Sequence, residues 1–133
     1  MSEQIEGACL CGKMAFTVRD PEAMGTCHCT RCQRWSGSGS STVFVVPAKN
    51  FEVTKGKEAM RTYKEEGFAD RAFCGNCGSG LYAVGGDSLY VGAGLFQKPH
   101  DHKVAFHVQT AYKKPWDEIG DKAPQFPEYP PHA

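Results

Sequence analysis

The seven cysteines of this chain are spaced so that their sulfur atoms can converge, and every one belongs to a cluster. The clusters are a C-x-C at Cys9 and Cys11, a C-x-C-x-x-C at Cys27, Cys29 and Cys32, and a C-x-x-C at Cys74 and Cys77. Two cysteines that flank a tight turn can place both sulfurs about 2.3 Å from one tetrahedral ion. The pattern therefore predicts metal binding.

Two other uses of cysteine fit the sequence less well. The start of the chain, "MSEQIEGACLCG", lacks the basic and apolar segments of a secretory signal. We therefore expect a cytoplasmic protein with reduced thiols, and an odd number of cysteines cannot pair completely within one chain. A thioredoxin-like redox motif would use only one C-x-x-C and would leave five cysteines unexplained.

Seven thiolates divide into a set of four and a set of three. Cys74 and Cys77 could share a closed tetrahedral zinc site with the isolated pair at 9 and 11, which would clamp the N-terminal strand to the middle of the chain. The remaining three sulfurs leave one tetrahedral position empty. An open position distinguishes a catalytic zinc from a structural one.

A histidine could instead close the three-cysteine site. Five are available: His28, His100, His102, His107 and His132. His28 lies between two of the cysteines in a locally extended segment, where alternate side chains diverge, so we expect it to point away from the ion. His107, in "KVAFHVQT", could reach the ion if its face of the strand turns that way.

The elements that position these residues are mostly strands. β-branched and aromatic residues, several with period two, predict strands at 13–18, 41–46, 51–55, 61–64, 69–74, 81–84, 88–94 and 104–110. Gly-Gly-Asp at 85–87 predicts a hairpin turn. Helix is limited to a short turn after "CTRCQRW" and another that begins at Trp116, after Pro115. The fold class is therefore mainly β with little helix.

Length and charge limit the remaining possibilities. The 133 residues fit a single domain, 1–133, and "APQFPEYPPHA" predicts a proline-rich extended tail from about residue 124. Lysine plus arginine and aspartate plus glutamate each total 15. This balance indicates neither nucleic acid nor an anionic membrane as a partner. The longest apolar run, "VFVV", is too short to cross a bilayer.

The order "GACLCGKMAF", "CHCTRCQRWSG", "RAFCGNCGSGLY" and "KKPWDEIGDKAPQF" resembles the glutathione-dependent formaldehyde-activating enzymes, whose domain is shared with centromere protein V. The resemblance spans Gly7 to Phe126. It implies antiparallel sheets in a zinc-stabilised β-tent fold with two zinc ions per chain. It assigns the structural zinc to Cys9, Cys11, Cys74 and Cys77, and the catalytic zinc to Cys27, Cys29 and Cys32.

The activity that the resemblance implies is that of a carbon-sulfur lyase, which joins glutathione and formaldehyde as S-hydroxymethylglutathione. An open zinc can lower the pKa of a bound thiol or polarise a carbonyl oxygen. The expected partners are therefore a small thiol such as glutathione and an aldehyde. "GAGLFQKPHDH" departs from the family pattern, with Phe96 and Gln97 where acids are common. This departure predicts a different substrate pocket.

Substrate-binding residues are predicted just after the three-cysteine motif, at Arg34, Trp35, Ser36 and Gly37. An arginine there could pair with a substrate carboxylate, and a glycine allows close approach of a ligand. The alternatives are a solvated arginine and a core tryptophan. Arg71 is expected to neutralise the four-thiolate site. Trp116 and Phe126 are expected to anchor the C-terminal segment by packing.

Two other function classes fit the same residues. One is a non-catalytic zinc-scaffolded binding module, and the other is a metal handler or redox sensor that uses the three-cysteine cluster. Two zinc ions with one exchangeable site favour the enzyme, whereas two closed tetrahedral sites favour the binding module.

Overall fold

Most strands belong to one seven-stranded sheet in the computed structural model, which describes residues 2–129. The strand order is β10-β3-β4-β9-β8-β7-β6. The strands are β3 (Ala23–Cys27), β4 (Ser41–Pro47), β6 (Met60–Tyr63), β7 (Arg71–Cys74), β8 (Gly80–Gly85), β9 (Ser88–Gly92) and β10 (Val104–Val108). Neighbouring strands are antiparallel except that β10 lies parallel to β3.

A second, antiparallel sheet has the order β1-β2-β5. It consists of β1 (Gln4–Ala8), β2 (Ala15–Arg19) and β5 (Phe51–Lys55). The α-helix α1 (Thr30–Ser36) has seven residues, and single 3-10 turns lie at Ala48–Asn50, Lys57–Ala59, Ala93–Leu95 and Thr110–Tyr112. The prediction of a mainly β fold with little helix is confirmed, and the sheets are antiparallel apart from the one parallel pair of β10 and β3. Among residues 2–129, no helix is long and apolar enough to cross a membrane.

Several local predictions are confirmed and others are wrong. The 85–87 turn connects β8 to β9, and Gly86 has the positive φ of 63° that such a turn favours. β1 and β3 were not predicted. The helical turn expected after "CTRCQRW" is instead α1, which contains most of that motif. No helix begins at Trp116, whose side chain is 70% exposed, so its predicted role as a packing anchor is wrong.

The core lies between the two sheets, and Phe96 joins them. Its ring centroid is 5.6 Å from that of Phe16 on β2 and 5.4 Å from that of Phe44 on β4, edge to face in both cases. Phe96 is buried, whereas Gln97 is exposed and donates a hydrogen bond to the Gly94 carbonyl. The departure from the family pattern at Phe96 is therefore a core contact between the sheets.

The C-terminal segment lies along the end of β10. The His107 N–H donates to the Pro124 carbonyl at 2.9 Å, and the Phe126 N–H donates to the His107 carbonyl at 2.9 Å. The Gln109 N–H donates to the Glu128 carbonyl at 3.1 Å. Residues 130–133 of the predicted tail, His132 among them, lie outside the described residues.

Gly56, between β5 and the turn that follows, gives a test of the fold. Its φ is +75°, and a Cβ there would collide with the Lys13 carbonyl. We expect Gly56→Ala to lower the free energy of unfolding by about 3 kcal/mol, because left-handed strain and overpacking add. Gly67 has a φ of +80° with no atom near its Cβ position, so Gly67→Ala should cost only about 1–2 kcal/mol. Urea denaturation would measure both, and equal losses would contradict the predicted collision.

Candidate metal centres and active site

Four cysteines meet where two hairpin connections touch. Cys9 and Cys11 lie between β1 and β2, Cys74 is the last residue of β7, and Cys77 lies between β7 and β8. Their four sulfurs lie within 4.8 Å of one another. The Sγ–Sγ distances are 3.6 Å for Cys9–Cys11 and 3.9 Å for Cys11–Cys74. Four sulfurs about 2.3 Å from one tetrahedral ion would be separated by about 3.8 Å, so the cluster has the dimensions of a metal site.

Polar groups around this cluster favour thiolates. The Asn76 side-chain amide donates to Cys11 Sγ at 3.2 Å, and this contact lowers the pKa of Cys11. A hydrogen bond from Ser79 lowers the pKa of Cys77 to about 5. Burial raises the pKa of Cys9, whose sulfur accepts a hydrogen bond from the Met14 N–H at 3.4 Å. The Leu10 N–H also donates to Ser79 Oγ at 3.0 Å, which ties the two connections together.

Three cysteines meet where β3 ends and α1 begins. Cys27 is the last residue of β3, Cys29 is the N-cap of α1, and Cys32 lies in the first turn of the helix. The Cys29 sulfur accepts a hydrogen bond from the Cys32 N–H at 3.3 Å, as a capping side chain does. The three sulfurs lie within 4.8 Å of one another. A cysteine that caps the helix thus turns the chain so that all three thiols converge.

The three thiols strongly affect one another's protonation. Hydrogen bonding from Cys27 lowers the pKa of Cys29 to about 2, whereas hydrogen bonding to Cys29 raises the pKa of Cys27. At Cys32 the hydrogen bond from Cys27 lowers the pKa, but hydrogen bonding with Cys29 and burial outweigh it and raise the pKa. Three thiolates this close repel one another unless a cation lies between them. The donor set therefore fits a metal ion, and soft thiolate donors suit zinc.

Neither His28 nor His107 belongs to the three-sulfur group. His28 Nε2 lies 2.9 Å from His107 Nδ1, and His107 Nε2 lies 3.0 Å from Asp121 Oδ1. His28 therefore points away from the sulfurs, as predicted. Both ring nitrogens of His107 have other partners, so the alternative in which His107 closes the three-cysteine site does not hold here.

The two imidazoles form a buried polar pair behind the three-cysteine loop. Burial lowers the pKa of His28, and the neighbouring His107 lowers it further. His28 Nδ1 has no hydrogen-bond partner among the described residues, and it lies 3.8 Å from Asp117 Oδ2. The Nε2 contact with His107 is therefore the hydrogen bond that the buried ring retains.

We expect His107→Leu to lower the free energy of unfolding by about 2–3 kcal/mol, because it leaves both nitrogens of buried His28 without partners. Lys98→Gln is a control that removes only the exposed ion pair with Glu6, at 2.9 Å, and should cost under about 1 kcal/mol. Urea unfolding of the two variants would measure the difference. Similar losses would show that the histidine pair has no special role in stability.

The four predicted substrate-binding residues lie at the end of α1. Gly37 is the C-cap, with a φ of 67°, and its N–H donates to the Gln33 carbonyl. The Ser36 hydroxyl donates to the Ser40 carbonyl at 2.9 Å. Arg34 is exposed, and Trp35 is half-buried. The structure therefore gives Ser36 and Gly37 capping and turn roles, and a role for these four residues in binding stays a prediction.

Arg71 lies on the side of the three-cysteine site. Its guanidinium carbon is 5.4 Å from the centre of the Trp35 ring, and its charge acts to lower the pKa of Cys32. Cys74, three residues along β7, is buried on the opposite face of the strand. The prediction that Arg71 neutralises the four-cysteine site is therefore wrong, because the alternation of side chains places the two residues on different faces.

Tyr129 was not predicted as part of the site. Tyr129 is 59% exposed; partial burial raises the pKa of its phenol, and the thiols of Cys27 and Cys29 raise it further, so the phenol is within electrostatic range of them. Gln109 holds this segment: its N–H donates to the Glu128 carbonyl, and its backbone is left-handed, with a φ of 59°. No local sequence signal indicates this contact, because 20 positions separate Gln109 from Tyr129.

A cavity of about 960 Å³ lies away from the three-cysteine site. It is bounded by β1, β2 and the segment around Gly94 to Lys98, and Cys9 of the four-cysteine cluster is among its lining residues. None of Cys27, Cys29 and Cys32 lines it. Chemistry at the three-cysteine cluster would therefore take place outside this cavity, between α1, β7 and the C-terminal segment.

Comparison with known proteins decides the family. The model for glutathione-dependent formaldehyde-activating enzymes matches residues 4–112. The chain belongs to this family. An "Uncharacterized lyase" of Schizosaccharomyces pombe is 29% identical over 99 residues, which make up 71% of this chain and 69% of that protein.

One further relative carries the family's name, and one solved structure shares the fold. A Colletotrichum graminicola protein named "Putative glutathione-dependent formaldehyde-activating enzyme" is 29% identical over 102 residues. The matched residues make up 75% of this chain but only 45% of the Colletotrichum protein. A crystal structure of a Rhodobacter sphaeroides protein aligns with a TM-score of 0.63 at 18% identity, over 91% of this chain and 99% of that one. The similarity to the Rhodobacter sphaeroides structure shows that the two proteins share a fold.

Proposed function

We propose that this protein is a zinc-dependent carbon-sulfur lyase that forms or cleaves the adduct of glutathione and formaldehyde. The family and the two curated relatives support a glutathione-related lyase role. The observation that carries the proposal is that the central cluster offers three metal-binding side chains, whereas a closed tetrahedral site needs four. Three thiols converge in the central cluster, and within residues 2–129 no fourth cysteine, histidine, aspartate or glutamate joins them.

The two clusters have different roles in this proposal. The four-cysteine cluster closes a tetrahedron and holds two hairpins together. Cys27, Cys29 and Cys32 would hold the second ion with three donors, one fewer than the four-cysteine cluster supplies, so that the substrate thiol could be the fourth. Zinc bound there would supply positive charge that favours a thiolate over a thiol. The non-catalytic binding module, in contrast, has no need of an incomplete ligand set.

The reaction adds the S–H of glutathione across the C=O of formaldehyde. A carbon-sulfur bond forms, the carbonyl π bond breaks, and the proton released by the thiol ends on the former carbonyl oxygen. In this proposal the reactants lie beside the first turn of α1, where Cys29 and Cys32 are, and the half-buried Trp35 one turn further along would form one wall. Holding both reactants in one place replaces a bimolecular encounter.

The addition also proceeds without a catalyst, so the test must measure rates. Carbon-13 exchange spectroscopy on glutathione and labelled formaldehyde at equilibrium gives the interconversion rate with intact protein and with a buffer blank. We expect the exchange rate to rise in proportion to protein concentration. A rate equal to the blank, for protein that holds two zinc ions per chain by elemental analysis, would rule out this reaction.

A further inference from the structure

We infer that Arg71 binds a carboxylate of the thiol substrate, and that the site therefore selects anionic thiols over neutral ones. The inference rests on the proposed function, because it names the substrate group that the three-cysteine site recognises. It assigns to a residue on β7 the carboxylate-binding role that the sequence had suggested for Arg34.

The position of Arg71 follows from α1. Cys32 and Trp35 are three residues apart in the helix, so their side chains share one face. Trp35 is held in place by Phe73, whose ring centroid is 6.4 Å away, and by Gly80, where even a Cβ would lie 3.0 Å from the indole. Arg71 lies over this fixed indole, 5.4 Å from the ring centre. Its guanidinium therefore lies on the face of α1 that also carries Cys32, close enough for its charge to act on that thiol.

The charge of Arg71 has no counterion among the described residues. No aspartate or glutamate in residues 2–129 comes within 4.0 Å of its guanidinium. Arg31, also near α1, shows the contrast: it lies 3.2 Å from a Glu65 oxygen and 3.3 Å from the centre of the Phe68 ring. A half-buried guanidinium that lacks a carboxylate keeps its planar set of donors available.

Glutathione carries two carboxylates, and a planar guanidinium can bind one of them through two parallel hydrogen bonds. The other possible role for Arg71 is to neutralise the thiolates, and its effect on Cys32 shows that it is near enough to do so. The two roles have different requirements. Neutralisation needs only a positive charge and acts on every thiol alike, whereas carboxylate binding depends on the substrate and on the planar shape of arginine.

The experiment measures dissociation constants by calorimetry for zinc-loaded wild type, Arg71→Gln and Arg71→Lys. The probes are glutathione, its diethyl ester, mercaptoacetate and 2-mercaptoethanol. We expect Arg71→Gln to weaken glutathione binding about 10- to 100-fold and to leave binding of the diethyl ester within about twofold. Arg71→Lys should restore part of the lost affinity.

Arg61→Gln is the matched control. Arg61 lies on the neighbouring strand β6 and is exposed, and within the described part of the chain it donates only to the backbone carbonyls of Glu58 and Met60. It should bind all four probes as wild type does, and circular dichroism confirms that each variant is folded.

Equal weakening of glutathione and its ester in Arg71→Gln would overturn the inference in favour of charge neutralisation. Failure of the wild type to bind glutathione would instead refute the proposed substrate. In that case the other two thiols still decide the role of Arg71. A preference for mercaptoacetate over 2-mercaptoethanol that is lost in Arg71→Gln supports the inference, and no preference overturns it.

Discussion

Replacing Cys74 with serine should leave the chain largely unfolded at room temperature. Cys74 is completely buried at the end of β7, and its sulfur lies 3.9 Å from that of Cys11, 63 positions away in the sequence. Structural zinc sites contribute about 10–16 kcal/mol of binding free energy to folding. That is as large as the whole stability of a typical domain, about 5–15 kcal/mol. The binding free energy lost with one of the four ligands should therefore exceed the folding free energy that the hydrophobic core alone provides.

Circular dichroism and zinc analysis would test this prediction together. We expect loss of the β-sheet spectrum, or a melting temperature at least about 15 °C below that of wild type, since about 4 kcal/mol lowers it by that much in a domain of this size. Cys77→Ser should have the same effect, because Cys77 belongs to the same four-sulfur group. A folded Cys74→Ser variant that keeps its melting temperature would contradict the structural role of this cluster.

The sequence predicted the cysteine groups because their spacing is local, and it predicted those strands whose own residues are β-branched or aromatic. β1 and β3 were missed for a shared physical reason. At Gly7, a side chain would collide with the rings of Phe16 and Phe96, and at Gly25 it would collide with the ring of Phe106. Each strand thus has a glycine where an aromatic ring from another part of the chain packs on it. At that position the strand itself therefore lacks the β-branched or aromatic side chain that would have helped to predict it.

The site shows the same limit. The spacing of Cys27, Cys29 and Cys32 is visible in the sequence, but the residues around them come from β7, β10 and the C-terminal segment. Arg71 lies close to Cys74 along the chain, so sequence proximity favours the wrong cluster, whereas the alternation of β7 places the two side chains on opposite faces. Tyr129 follows Glu128, whose carbonyl accepts the N–H of Gln109, a residue 20 positions earlier than Tyr129 with a left-handed backbone. Such contacts depend on tertiary structure and have no local pattern.

Replacing Cys32 with serine should have the opposite effect to Cys74→Ser: the fold survives and the activity is lost. The three-cysteine cluster connects residues only five positions apart, from Cys27 to Cys32. Closing so short a loop restricts the unfolded chain less than joining residues 63 apart, by about 2 kcal/mol of loop-closure entropy. α1 also keeps its N-cap, because the Cys29 sulfur can still accept the N–H of residue 32.

The catalytic loss should be large, because removal of one of only three ligands affects metal binding more than the 10- to 100-fold loss typical of an outer-shell change. We expect the protein-dependent exchange rate between glutathione and its formaldehyde adduct to fall at least about 100-fold, and zinc content to fall from two ions per chain to one. The melting temperature should change by less than about 5 °C. Under the same conditions Cys74→Ser must unfold or melt at least about 15 °C below wild type, since only opposite outcomes separate a catalytic site from a structural one. Full exchange activity in folded Cys32→Ser would place the reaction elsewhere on the molecule.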